Sequence, residues 1–239
     1  MQNRSVSSQE FERLMEGLSK DLTRASIHLS LYKDLVTSVS KYERVLNNSK
    51  TFWSLTFDAH LATSIHCLCR AYDQEASSLH LKSWLETIQG NLGLFGSEQH
   101  RKRLAENPSA ETLAAHAKKP DKQQLEKDIE AVTLKNKSVK KLIEIRSTGY
   151  AHRGYKTTLK QQIQGKDVKL TLEEIEELID KGIEILNRYS VSFKSLTYSA
   201  SIIGGDDYMY VLKTLQAGYE AYEEELQTEL KRYSNDEEL

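Results

Sequence analysis

Only two prolines occur in 239 residues, Pro108 and Pro120. Proline removes a backbone donor and clashes with the preceding helical turn, so helix interiors exclude it. The long proline-free runs on either side can therefore be helical, with one irregular interruption between the prolines.

The apolar residues agree with this. Trp53, Phe57, Leu61, Ile65, Leu68 and Tyr72 recur at helical spacing, as do Ile175, Leu178, Ile179, Leu186, Tyr189, Phe193 and Leu196. A third stripe runs through Tyr210, Leu212, Leu215, Tyr219, Tyr222 and Leu226. Ser7 with Glu10, Asp121 with Gln124 and Thr171 with Glu174 have the spacing of a capping box. The strand signal is confined to QIQGKDVKLT, which could turn back at Gly165; a two-stranded ribbon alone is marginal, so it reads as a loop.

The expected fold is all-α, a bundle of long amphipathic helices over 8–45 (with an interruption admissible), 50–74, 79–91, 97–106, 121–150, 171–200 and 206–232. The organisation is a single domain over 1–239. Residues 1–49 form an N-terminal helical segment, 107–121 a polar loop bracketed by the prolines, and 206–239 a C-terminal helix with an acidic tail.

Composition narrows the function. Charged residues make up 28% of the chain and the net charge is −2. A general nucleic-acid coating protein would be strongly basic, so any nucleic-acid site must be local. No apolar run is long enough to span a membrane, and MQNRSVSSQEFERLM lacks the apolar centre of a secretory signal. The cytoplasm is the expected compartment. Cys67 and Cys69 stand two apart on a helix and point to different faces, which argues against a disulfide between them. With His60 and His66 they do not make a zinc-ligand pattern. His28, His60, His66, His80, His100 and His116 are read as structural. No P-loop, GxSxG, HExxH or dinucleotide-binding glycine pattern occurs.

The stretch IRSTGYAHRG, residues 145–154, is different. Arg146 lies four residues after Leu142 and continues the apolar stripe of the helix from Asp121, so it points towards the bundle and needs an anionic partner. His152 follows six positions later, a rotation of about 600° along a regular helix. The two side chains converge only if the helix ends or distorts, which Gly149 permits, or if two copies of the segment share one cleft in a symmetric dimer. Between Lys135 and Lys169 stand ten basic residues against two acidic ones, Glu144 and Asp167. That surplus suits an anionic ligand, with phosphate the obvious candidate. A structural salt bridge at Arg146 remains the alternative.

An arginine followed by a histidine near a helix end resembles the HEPN superfamily. IRSTGYAHR is similar to its abortive-infection, U-type branch, and RAYDQEASSLHLKSWLETI resembles the Arg-x-x-Asp segment of that branch, with Arg70 and Asp73 the matching residues. The resemblance implies metal-independent and cofactor-free cleavage of RNA by a homodimer, in phage defence or as a toxin. Arg146 and His152 would be catalytic, and Ser147, Asp73 and Arg70 would support them. Arg153, Lys156 and Lys141 would meet RNA phosphates. RNA or a nucleotide is the expected ligand, an antitoxin encoded elsewhere is a further candidate partner, and no membrane is involved. Asp73 and Arg70 stand three apart on a helix, so their simplest arrangement is an ion pair with each other. The alternative is that Asp73 orients Arg146 or His152. Two other functions stay open: a non-catalytic RNA- or nucleotide-binding module, and a structural helical dimer.

Overall fold

The computed structural model describes residues 5–146, 170–200 and 204–236, with side chains described as far as residue 232. The elements among them are α1 (Ser8–Ser38), α2 (Glu43–Asn48), α3 (Lys50–Ala71), α4 (Leu81–Gly90), a single 3₁₀ turn (Leu92–Leu94), α5 (Ser97–Arg103) and α6 (Ala110–His116). There follow α7 (Lys122–Ala131), α8 (Lys137–Ile145), α9 (Leu172–Lys194) and α10 (Asp207–Asp236). The described residues contain no strand, and the fold is all-α as the sequence indicates.

They fall into two compact units. One comprises Met1–His28 with Ala62–Ala200, and the other Leu29–Leu61 with Ser201–Leu239. In the first unit the core is aromatic. Phe11 stacks on Trp84 with centroids 5.8 Å apart and meets Phe193 at 4.7 Å; Tyr189 meets Trp84 edge-on at 5.9 Å. All four rings are buried. Such pairs add about 0.5–1.5 kcal/mol each beyond area burial. In the second unit a smaller core gathers Leu35, Tyr42, Val45, Leu46, Trp53 and Leu212, with α10 lying on α2 and Arg44 paired to Glu223. The apolar stripe of α10 is only partly used. Leu212 is buried, while Tyr210, Leu215, Tyr222 and Leu226 are exposed.

Two expectations change. The described part of the helix expected over 121–150 is two helices. The Asn136 side chain accepts hydrogen bonds from Ser138 N–H (2.9 Å) and Val139 N–H (3.4 Å), so it caps a new helix instead of continuing the old one. The segment 107–121, expected as a loop, contains α6. That helix buries only Ala110 and Ala114, so its apolar face is small and weak as a signal in the sequence. It packs on α5, and Arg101 pairs with Glu111 across the two.

α9 organises the first unit. Thr171 and Glu174 close the capping box at its start, and Ser195 ends it with a left-handed backbone (φ 52°). Asp128 of α7, 1% exposed, accepts hydrogen bonds from Gln124 (3.0 Å), from the Tyr189 hydroxyl (2.7 Å) and from Arg188. Arg188 also holds Glu184, so this buried carboxylate has three partners and clamps α7 to α9.

Gly182 sits where α9 meets α1 and α3. A Cβ there would stand 2.6 Å from Leu22 Cδ2 and 3.4 Å from the Tyr72 hydroxyl. Leu22 is fully buried, so its side chain would have to shift within the core. Alanine gains about 1 kcal/mol of helix propensity over glycine, but overpacking costs about 1–3 kcal/mol. Gly182→Ala should therefore lower the urea midpoint; a raised midpoint would contradict this packing.

Candidate functional site

The site is assembled where α3 ends. Tyr72, the last residue of its buried stripe, donates its hydroxyl to the Leu178 carbonyl of α9 at 2.6 Å, and the phenol pKa is raised by burial. Cys69, one turn earlier, points its thiol at the Leu142 carbonyl of α8 at 3.9 Å. The Gln74 amide donates to the Tyr72 carbonyl (2.8 Å) and to the Val132 carbonyl (3.1 Å), tying the loop after α3 to the end of α7. The Cys69 contact sets α8 against α3, and the Tyr72 bond ties the end of α3 to α9. Lys141 of α8 adds an ion pair to Glu174 of α9.

Arg146 stands at the end of α8, with helical backbone angles (φ −55°, ψ −48°). Its Nη1 donates to Asp73 Oδ1. The same oxygen accepts Gln74 N–H at 2.8 Å and Glu75 N–H at 3.2 Å. The two partners are unequally covered: the Asp73 side chain is 9% exposed and that of Arg146 40%. A buried carboxylate thus anchors a guanidinium that still reaches solvent. Burial pushes the Asp73 carboxyl up, but the Arg146 hydrogen bond and the two backbone donors outweigh it, and its pKa lies below the usual carboxylate value.

Arg70 does not pair with Asp73, although the two are three residues apart. It bonds Asp21 of α1, with Nε 3.0 Å from Oδ1. Helical spacing made the intrahelical pair the simplest expectation. However, Asp73 lies beyond α3 in a turn, where its carboxylate caps the next two N–H groups and faces α8 instead. Asp73 therefore holds Arg146, the less expected of the two arrangements. Lys141 spends its charge on Glu174, whose pKa is lowered chiefly by that hydrogen bond. Ser147, Gly149, His152, Arg153 and Lys156 lie outside the described residues, as does most of the QIQGKDVKLT segment.

Neighbouring groups offer little competing chemistry. Both cysteines are free and buried. Burial pushes the Cys69 thiol up to about 11 despite the nearby Arg146 charge, so it is protonated at neutral pH and is no nucleophile. The His80 ring caps α4: its Nδ1 accepts Ser83 N–H (3.1 Å) and its Nε2 faces the Glu75 carbonyl (3.1 Å). Among the described residues no group of three or more His, Cys, Asp or Glu side chains is placed to hold a metal ion, and no helix is long and apolar enough to cross a membrane.

The first unit, all-helical among its described residues, thus carries a solvent-reaching arginine at a helix end, anchored by an aspartate that follows α3. The model of the AbiU2 family, a HEPN branch, matches residues 8–214. The chain belongs to the AbiU2 HEPN family. The match runs from α1 into the first turns of α10 and takes in both the Asp73 and the Arg146 segments. No curated protein and no solved structure matches the chain.

The Asp73 carboxyl ionises more readily in the folded chain than in the unfolded one, whose carboxyl titrates near about pH 4. Its stabilising contribution is complete above that value and is lost as pH falls through the lowered folded pKa. Asp73→Asn should be less stable than wild type at neutral pH and lose less stability between about pH 5 and about pH 2. Urea melts across that range read the difference, and parallel curves would contradict the anchoring role.

Proposed function

We propose that this protein is a metal-independent endoribonuclease of the HEPN type, acting in the cytoplasm in phage defence or as a toxin. The observation that carries the reading is the anchoring of Arg146 by the buried Asp73. A guanidinium has five N–H donors in a fixed fork. Asp73 engages one terminal nitrogen, which sets the orientation of the fork, while 40% of the side chain remains exposed for an incoming phosphate. The AbiU2 family match over residues 8–214 takes in this arginine, which supports the reading.

The chemistry follows from RNA itself. The 2′-hydroxyl loses its proton, its oxygen attacks the adjacent phosphorus, and the bond from phosphorus to the 5′-oxygen breaks. The products are a 2′,3′-cyclic phosphate and a 5′-hydroxyl. His152 moves the proton, since an imidazole titrates near neutral pH. Arg146 binds the phosphate and offsets the charge that grows in the transition state. Ser147 bonds a phosphate oxygen or orients the histidine. Arg153 and Lys156 meet neighbouring phosphates, whereas Lys141 braces α8 against α9. The active form is a homodimer, which supplies two copies of the motif to one cleft and removes the difficulty of a six-residue spacing. An antitoxin encoded elsewhere is a further candidate partner.

Total RNA incubated in EDTA with purified protein that light scattering shows to be dimeric should acquire 2′,3′-cyclic ends. Arg146→Ala and His152→Ala should each slow cleavage by at least about 100-fold. Arg146→Lys should fail similarly, because an ammonium cannot reproduce a planar two-pronged grip. Asp73 keeps its two backbone donors in these variants, so the fold should persist. Wild-type cleavage by Arg146→Ala, together with a marked drop in melting temperature, would assign the pair a purely structural role.

A further inference from the structure

A second basic feature lies outside the Arg146 site. In the first unit α1 and α3 are antiparallel neighbours: Ser64 Oγ donates to the Ala25 carbonyl at 2.8 Å, and six residues later Arg70 reaches back to Asp21. Between them is an open groove of about 330 Å³, lined by Arg24 of α1 and by Ala62, Thr63, His66, Cys67 and Arg70 of α3. Arg24, His66 and Arg70 are exposed. His66 and Arg70 share one face of α3 at i, i+4 spacing. Ala62 and Thr63 line the groove with small side chains and leave it open.

The charge balance of the groove is positive. Asp21 engages Arg70 only. Among the described residues neither Arg24 nor His66 has a hydrogen-bond or ion-pair partner, so two guanidiniums face one carboxylate, with an imidazole beside them. Cys67 offers no chemistry to the groove. Its thiol is buried, burial raises its pKa, and Arg70 donates a hydrogen bond to the sulfur at 3.4 Å. The volume is at the lower end of ligand pockets, roughly 300–1,000 Å³, and suits a phosphate with an attached sugar better than a peptide. Arginine forks favour phosphate oxygens over most other surface ligands.

We propose that the groove between α1 and α3 is a phosphate-binding site, with Arg24 and Arg70 gripping the phosphate and His66 hydrogen-bonding it. The site is separate from the cleavage reading: Arg70 acts here through its own guanidinium and not through Arg146. The phosphate can come from an RNA backbone crossing the groove or from a free phosphate group.

The test uses the full chain and two probes. One is a 5′-labelled single-stranded RNA carrying 2′-O-methyl groups, which cannot be cleaved through its 2′-oxygen and so reports binding alone. The other is inorganic phosphate, followed by calorimetry. The variant is R24A/H66A, which removes two exposed side chains and leaves the Arg70–Asp21 pair in place; its melting temperature should match wild type. RNA affinity should fall on the order of tenfold, with a shallower dependence on salt. Weakened RNA binding with no phosphate heat in wild type identifies a backbone phosphate as the occupant. Phosphate heat that the variant loses identifies free phosphate. Equal affinity of wild type and variant for both probes overturns the proposal. If wild type cleaves no unmodified RNA but the variant still loses affinity, the cleavage reading fails and the groove stands.

Discussion

A single carboxylate oxygen, Asp73 Oδ1, receives three hydrogen bonds: from Gln74 N–H, from Glu75 N–H and from Arg146. A charge as buried as this one is costly unless it is paired and hydrogen-bonded. Its three donors meet that requirement and build the site at the same time. Two of them set the turn that follows α3, and the third fixes the end of α8. Neutralising Asp73 would remove the reason for the turn to face α8.

The rest of the first unit holds that oxygen and its guanidinium in register. Tyr72 reaches α9, Cys69 meets α8, and Gln74 ties the loop to the end of α7, all within six residues of one another. Asp128 clamps α7 to α9 with partners of its own. An ordinary hydrogen bond among these is worth about 1 kcal/mol net, and the thiol contact less. Their joint effect is orientation: a guanidinium positioned before a ligand arrives does not lose that freedom on binding. The two arginines near the end of α3 therefore diverge in role. Arg70 is held by α1 beside an open groove, and Arg146 is held by Asp73 at a helix end.

Periodicity made the helices legible, because Leu68, Tyr72, Ile179, Leu186, Tyr189 and Phe193 repeat with the helical turn and are buried. Arg146 was legible for the same reason, as a charge placed on an apolar stripe. Its partner was harder to read, since Asp73 and Arg146 are 73 residues apart and only the folded chain brings them together. That pairing was legible as one alternative, whereas the Arg70–Asp21 pair and the Asp128 cluster were missed, because helical spacing reports neighbours on one helix and not across helices. α6 escaped because alanines carry its packing. The break at Asn136 did carry a local signal: an asparagine followed by the apolar pair Val139 and Leu142, with no apolar stripe over 133–138. Exposure of the α10 stripe was not legible at all, since an amphipathic pattern does not say whether a helix finds a partner.

In the proposed function Asp73 acts on RNA cleavage through Arg146. A double-mutant cycle with Asp73→Asn, Arg146→Ala and the combined variant, read as the single-turnover cleavage rate at saturating RNA, tests it most directly. The account predicts strong non-additivity, with the double variant no slower than Arg146→Ala alone, because the aspartate has nothing left to orient once the guanidinium is gone. Losses that simply add, with Asp73→Asn slowing the Arg146→Ala enzyme as much as it slows wild type, would contradict it.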